Sequence, residues 1–292
     1  MNDKDRRTVL VSTIGFLLPW VLIPFLAGYL LSLALVPVPQ VRIIRLEDEI
    51  WGSSAVETSA LLAQAKENRA IKAVVLKINS PGGEVSASEG LYYEVLALRK
   101  VKPVVASVEG MATSGAYYLA VATDFIYATP SSTVGNIGLI SLLPPPSFVD
   151  EQLLSTGPFK FFGGSRDSYI QQMEMSKEGF LAAVMAQRGE KLKAAKETLA
   201  RGEIYIGMRA ASLGLIDALG STSEAVEKAA HLAKIANYQV VDMGQVAPAP
   251  LLLPSNVSAN EEGRAPAPDS GPASAPLPPG IYYLYPDPKR GF

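Results

Sequence analysis

A chain of 292 residues with 48% hydrophobic content has the apolar material for one large core or two small ones. Its formal net charge of −2 leaves no basic footprint, which argues against nucleic acid as a partner. It has no cysteine and one histidine, His231, so disulfides, a cysteine nucleophile and the usual zinc sites are excluded, and no metal or other cofactor is expected.

Residues 1–8 carry Lys4, Arg6 and Arg7. The 28 residues from Val9 to Val36 then contain no charge, enough to cross a hydrocarbon core of ~30 Å. Pro19 and Pro24 would kink such a helix, which membrane helices tolerate when neighbours satisfy the freed backbone groups. The competing reading is a cleaved signal peptide, with Ser32 and Ala34 as a small-x-small site; the run, however, well exceeds a signal core of ~7–15 residues. The expectation is an uncleaved anchor over 9–36. With three basic residues before the span, and Arg42 and Arg45 after it, the charge bias puts the N-terminus in the cytoplasm and the domain outside a cell membrane crossed once.

From Pro39 onward apolar β-branched runs alternate with helical spacing. "VRIIRL" and "IKAVVLKIN" read as strands, with a helix around 54–68 between them. "SPGG" leads into a helix over 86–100, in which Leu91, Val95 and Leu98 share a face. "PVVASV" predicts the next strand, followed by a small, aromatic helix opening at Ser114. "FIYAT" and "NIGLI" read as short strands, 171–201 as a long helical zone, and "STSEAVEKAAHLAKIA" as a final capped helix. This alternation predicts one α/β domain over 40–243 with largely parallel strands. Residues 246–280 hold nine prolines among Ala, Ser and Gly and read as a flexible linker. The chain ends in an aromatic segment, 281–292.

Two βα turns carry possible chemistry. In "KINSPGGEVSASEG" a strand ends, Pro81, Gly82 and Gly83 turn the chain, and a helix begins. Such glycines let backbone N–H groups face a ligand or an oxyanion, or they serve as a plain turn. In "VEGMATSGAYYLA" Ser114 is either an ordinary helix N-cap or a nucleophile presented at a strand end. Adjacent parallel strands would bring Gly83 and Ser114 to the same sheet edge, where open α/β sheets bind their ligands. The N–H of Gly115 would be a second donor.

A serine nucleophile needs a base. His231 falls among alanines and charges in the last helix and reads as a surface residue. Lys177, Lys191, Lys193 and Lys196 lie in charged helices, where they are solvated. Lys160 differs, because "TGPFKFFGG" sets it among Phe159, Phe161 and Phe162. An apolar collar disfavours a charged ammonium; a lysine stem covering aromatics on an edge is the plainer reading.

The blocks "INSPGG", "EGMATSGAYYLAVATDFIYATPSSTVGNIGLI", "TGPFK" and "RGEIYIGMRAASLGLIDALG" together resemble the signal peptide peptidase A (protease IV-like) serine peptidases, over about 41–243. The resemblance implies a Clp protease/crotonase-like α/β fold with repeated ββα-type units, preceded by one transmembrane helix. It implies Ser114 as nucleophile, Lys160 as general base, and Gly83 and Gly115 as the oxyanion hole. It also implies a homo-oligomeric ring in which the serine and lysine of one site come from neighbouring protomers. The implied substrates are remnant signal peptides and other hydrophobic or unfolded peptides at the membrane. The chain departs from the family's pattern at three points. Ala116 replaces a glycine of the "SGGYY" block, and Asn136 stands where a hydroxyl commonly orients the lysine. The interval from Ser114 to Lys160 is also short.

The expected function is therefore a membrane-anchored serine endopeptidase with a Ser-Lys dyad. The alternatives are a catalytically weak, ring-forming membrane scaffold, which Asn136 keeps open, and a crotonase-type acyl-CoA enzyme. "IYYLYP", 281–286, is strand-forming, has no evident core to join, and resembles the extended hydrophobic peptide such an enzyme would bind. It is expected either in the enzyme's own groove, as a tethered competitor, or on a sheet edge or partner protein.

Overall fold

The computed structural model describes residues 20–28, 37–142, 156–160, 163–243 and 281–283. The chain divides into two units, Met1–Pro39 and Gln40–Phe292. In the first, residues 20–28 are helical (α1), with Trp20, Ile23 and Phe25 exposed. Among the described residues no helix is long and apolar enough to cross a membrane; the rest of the expected anchor, residues 1–8 and the linker over 246–280 lie outside them.

The second unit opens with β1 (Gln40–Glu47), α2 (Gly52–Glu67), β2 (Ile71–Ser80), β3 (Gly83–Glu84) and α3 (Val85–Arg99). There follow β4 (Val104–Thr113), α4 (Gly115–Val121), β5 (Phe125–Ala128), β6 (Thr133–Gly135) and β7 (Ile140–Ser141). After these come α5 (Arg166–Arg188), α6 (Lys196–Leu199), β8 (Ile204–Ile206), α7 (Gly207–Leu213), β9 (Ala218–Leu219), α8 (Thr222–Leu232) and β10 (Gln239–Met243). A last strand, β11, is Ile281–Tyr283.

The main sheet runs β10-β1-β2-β4-β5-β9, all parallel. β6 continues alongside the far end of β4, and β8 pairs antiparallel with β6. Period-two alternation sends successive side chains to opposite faces. Val74, Leu76 and Ile78 of β2 therefore join the large core with Leu61, Leu62, Leu91, Val95 and Phe180. Ala73 and Val75 face the other way, onto Ala225, Val226, Ala229 and Ala230 of α8. Helices thus cover both faces, as an α/β sheet requires.

Two expected elements come out differently. "NIGLI" does not form a strand as a unit: Gly135 and Asn136 take positive φ, 99° and 55°, which ends β6 and turns the chain before β7 begins at Ile140. The helical zone over 171–201 breaks at Gly189, whose φ is 50°, leaving the long α5 and the single-turn α6. The strands β8, β9 and β10 and the helix α7 were not legible in the sequence pattern.

Candidate active site

β2 and β4 lie side by side with Ser80 opposite Ala112, so their C-terminal ends place Pro81–Gly83 beside Thr113–Ser114. The Thr113 hydroxyl donates to the Pro81 carbonyl at 3.2 Å, and the Met111 N–H donates to Asn79 Oδ1 at 3.2 Å. Gly82 holds φ 100°, a value only glycine takes easily, and its N–H donates to Ser80 Oγ at 3.2 Å.

Ser114 occupies the N-cap position of α4, but its side chain makes no capping hydrogen bond. The plain-cap reading is therefore wrong. Its backbone is at φ 54°, ψ −126°, held by its N–H donating to the Gly135 carbonyl at 2.8 Å. For a non-glycine residue such a conformation costs roughly 1–3 kcal/mol. The residue is 1% exposed, and among the described residues its Oγ has no hydrogen-bond partner. A buried hydroxyl left unpaired costs about 1–3 kcal/mol more. Fold stability is served by neither feature; a reactive hydroxyl aimed at an incoming group is served by both.

Gly115 begins α4, so its N–H has no intrahelical acceptor. Gly83 is buried and paired in parallel with Ile50. The Ile50 N–H donates to the Gly82 carbonyl and the Glu84 N–H donates to the Ile50 carbonyl, both at 2.8 Å. A Cβ on Gly83 would stand 2.0 Å from the Ile50 carbonyl oxygen, so only glycine fits. Because polarity alternates along a strand, the N–H and C=O of Gly83 face away from Ile50.

The structure thus brings Gly83, Ser114 and Gly115 together at one sheet edge. It does not join Lys160 to them. Lys160 is exposed in a turn in which its N–H donates to the Gly157 carbonyl at 3.1 Å, and Phe159 is 46% exposed. Phe161 and Phe162, the rest of the expected collar, lie outside the described residues. Asn136 is half-buried; its Nδ2 donates to the Gly202 carbonyl and its N–H to the Glu203 carbonyl, each at 2.9 Å. Its positive φ is one that asparagine tolerates well. His231 is exposed.

Behind the site, Tyr117 is fully buried and its hydroxyl donates to the Leu215 carbonyl at 2.8 Å; burial pushes that phenol well above its ordinary range. Asp217 takes Arg188 in a two-pronged pair at 2.8 and 3.2 Å and Lys191 at 2.8 Å. Burial alone would push this carboxyl up, but the hydrogen bonds from Arg188 and Lys191 outweigh it and hold the group below its usual value. Among the described residues no cluster of His, Cys, Asp and Glu could hold a metal ion.

Two parts of the site escaped the sequence reading. Gly135 anchors the Ser114 backbone, and consecutive turn formers in "VGNIG" were the available signal. The other part is a second sheet, β3-β11-β7, in which Ile281–Tyr283 lies between Gly83–Glu84 and Ile140–Ser141.

The profile of peptidase family S49 matches residues 97–146 and 149–236. Protease 4 of Salmonella typhi is 32% identical over 200 residues, which are 63% of this chain and 32% of that protein. A putative protease of Methanocaldococcus jannaschii is 33% identical over 198 residues, 63% of each chain. A putative protease of Synechocystis sp. is 31% identical over 202 residues, 63% of this chain and 73% of that protein. The chain therefore spans about a third of the bacterial Protease 4 and under two thirds of the archaeal protein.

Proposed function

This chain belongs to peptidase family S49, and from that membership and the geometry of the sheet edge we propose that it is a serine endopeptidase acting on hydrophobic or unfolded peptides, remnant signal peptides among them, at a membrane. Ser114 Oγ attacks the scissile carbonyl and gives its proton to Lys160. The oxyanion is held by the N–H groups of Gly83 and Gly115; a single donor of this kind is worth roughly 2.7–4 kcal/mol in the transition state. The proton then passes to the leaving amine, and water releases the acyl group by the same path in reverse.

The observation that carries this reading is the buried, unpartnered Oγ of Ser114 on a strained backbone beside Gly83. Because Lys160 is exposed and Ser114 is not bonded to it, the dyad is proposed to form between protomers of a ring. The charge-free run over 9–36 is proposed as the anchor that sets this ring on the membrane, with the domain outside the cytoplasm. The fold is proposed to be of the Clp protease/crotonase type. Asn136 is proposed to orient the lysine through the amide oxygen opposite its bond to Gly202.

Labelling of the full chain by a fluorophosphonate tests the assignment. Label on wild type and none on Ser114→Ala is the expected result. An acyl-CoA enzyme of the crotonase type, or an inert scaffold, takes no label.

A further inference from the structure

The strand β11 belongs to the chain's own C-terminus, yet it lies where an extended substrate would lie. It pairs antiparallel with β3, Tyr282 opposite Glu84 and Tyr283 opposite Gly83. On its other side it pairs antiparallel with β7, Tyr282 opposite Ile140 and Ile281 opposite Ser141. A three-residue segment held on both edges is a peptide captured by strand addition.

The register says which carbonyl is presented. Gly82 and Glu84 spend their carbonyl and N–H on Ile50, so the free N–H of β3 on the β11 side is that of Gly83. Its register partner is Tyr283. The same alternation turns the N–H and C=O of Tyr282 toward Ile140 on β7. The Tyr283 carbonyl therefore faces the N–H assigned above to the oxyanion hole. The antiparallel direction also runs β11 from Glu84 toward Gly83, the end of β3 that the Pro81–Thr113 bond ties to Ser114.

We propose that the C-terminal segment is a tethered substrate of its own site, cut between Tyr283 and Leu284, and that until then it competes with other peptides for the groove. The proposal rests on the peptidase reading above. Ser114 Oγ bonds to the Tyr283 carbonyl carbon, its proton going to the base. The C–N bond to Leu284 breaks, and that proton passes to the Leu284 nitrogen as residues 284–292 leave. Water then hydrolyses the ester, regenerating the Ser114 hydroxyl and leaving a chain that ends in the Tyr283 carboxylate. No oxidant or cofactor is needed. The tether from β10 to β11 is 37 residues, 244–280, and a link of that kind gives an effective concentration on the order of mM.

Intact-mass spectrometry on the full chain tests the cut. Wild type should lose the nine residues 284–292, and Ser114→Ala should keep them. Tyr283→Pro, which removes the N–H that pairs with Gly83, should also keep them while still cleaving a separate hydrophobic peptide. Deleting 281–292 should lower the apparent KM for that peptide about tenfold with kcat unchanged. In the Ser114→Ala background the same deletion should speed amide exchange at Gly83 and Ile140 about tenfold or more, a readout that needs no activity. An enzyme that cleaves the separate peptide but keeps its tail, or cuts it elsewhere, overturns this inference and leaves the peptidase reading standing. Unchanged exchange at both amides, or an unmoved KM, overturns it as well. Failure to cleave peptide and tail alike overturns the peptidase reading and the cut with it.

Discussion

The Ser114 N–H donates to the Gly135 carbonyl across 2.8 Å, and both residues hold positive φ, 54° and 99°. β4 and β6 end together at this bond, so two strained turns brace one another. The bracing lets the chain keep a costly backbone under Ser114 without a glycine there.

That strain predicts a split between stability and activity. Ser114→Gly removes the positive-φ penalty and should raise Tm by a few degrees, about 1 kcal/mol being worth ~2–4 °C in a domain of this size. Ser114→Ala keeps the strain and discards only an unpartnered hydroxyl, so its Tm should stay within a degree or two of wild type. Both should lose fluorophosphonate labelling. Thermal melts showing Ser114→Gly less stable than wild type would mean the backbone is not strained.

Gly83→Ala should cost more than a methyl group suggests. The new Cβ meets the Ile50 carbonyl oxygen, which is backbone and cannot swing aside. β3 has to shift, carrying the Gly83 N–H away from its place. The expected kcat falls by roughly 10²–10³, with far-UV circular dichroism unchanged. Steady-state kinetics at wild-type levels would remove Gly83 from the site.

Lys160→Ala should abolish peptide cleavage, and Lys160→Arg should be nearly as inactive, because a guanidinium does not give up its proton near neutral pH. The double variant with Ser114→Ala should be little worse than either single one, since the pair acts as a unit. Mixing Ser114→Ala with Lys160→Ala protein under subunit-exchange conditions should restore part of the activity. A fully active monomer that shows no complementation would place both groups of the dyad in one chain.

Asp217→Asn should be strongly destabilising. Arg188 is 4% exposed and would keep its charge with no carboxylate to answer it, a loss of about 3–5 kcal/mol, or on the order of 10 °C in Tm. Asp217 Oδ2 also accepts from the Ile126 N–H at 2.8 Å, so α5 and β5 loosen together. The pH dependence has a definite sign. The folded carboxyl lies below its ordinary value, so its stabilisation is complete above the unfolded pKa of ~3.9 and is lost as pH falls through the folded value. Denaturant titrations between neutral pH and pH 3 should therefore show a steeper acid loss for wild type than for Asp217→Asn.

Much of the frame could be read from residue order alone. β-Branched runs marked β1, β2 and the first half of β4, and helical spacing marked α2, α3 and α8. Glycines and a serine at the ends of successive βα turns marked where the chemistry belongs. These are properties of a few neighbouring residues, so local periodicity and turn chemistry suffice to show them. Family membership followed from the same blocks, in their order along the chain.

Tertiary structure decided what depends on partners far apart in the chain. The local pattern at Ser114 suits a helix cap equally well; only the bond to Gly135, and burial with no acceptor nearby, turns its hydroxyl away from that task. "NIGLI" has the composition of a strand, but two positive-φ residues set by β6 and β8 broke it. "IYYLYP" shows the same division. Its tendency to extend is intrinsic to the residues, whereas its place between Gly83–Glu84 and Ile140–Ser141 exists only because the folded sheet leaves those backbone groups open to a strand from elsewhere.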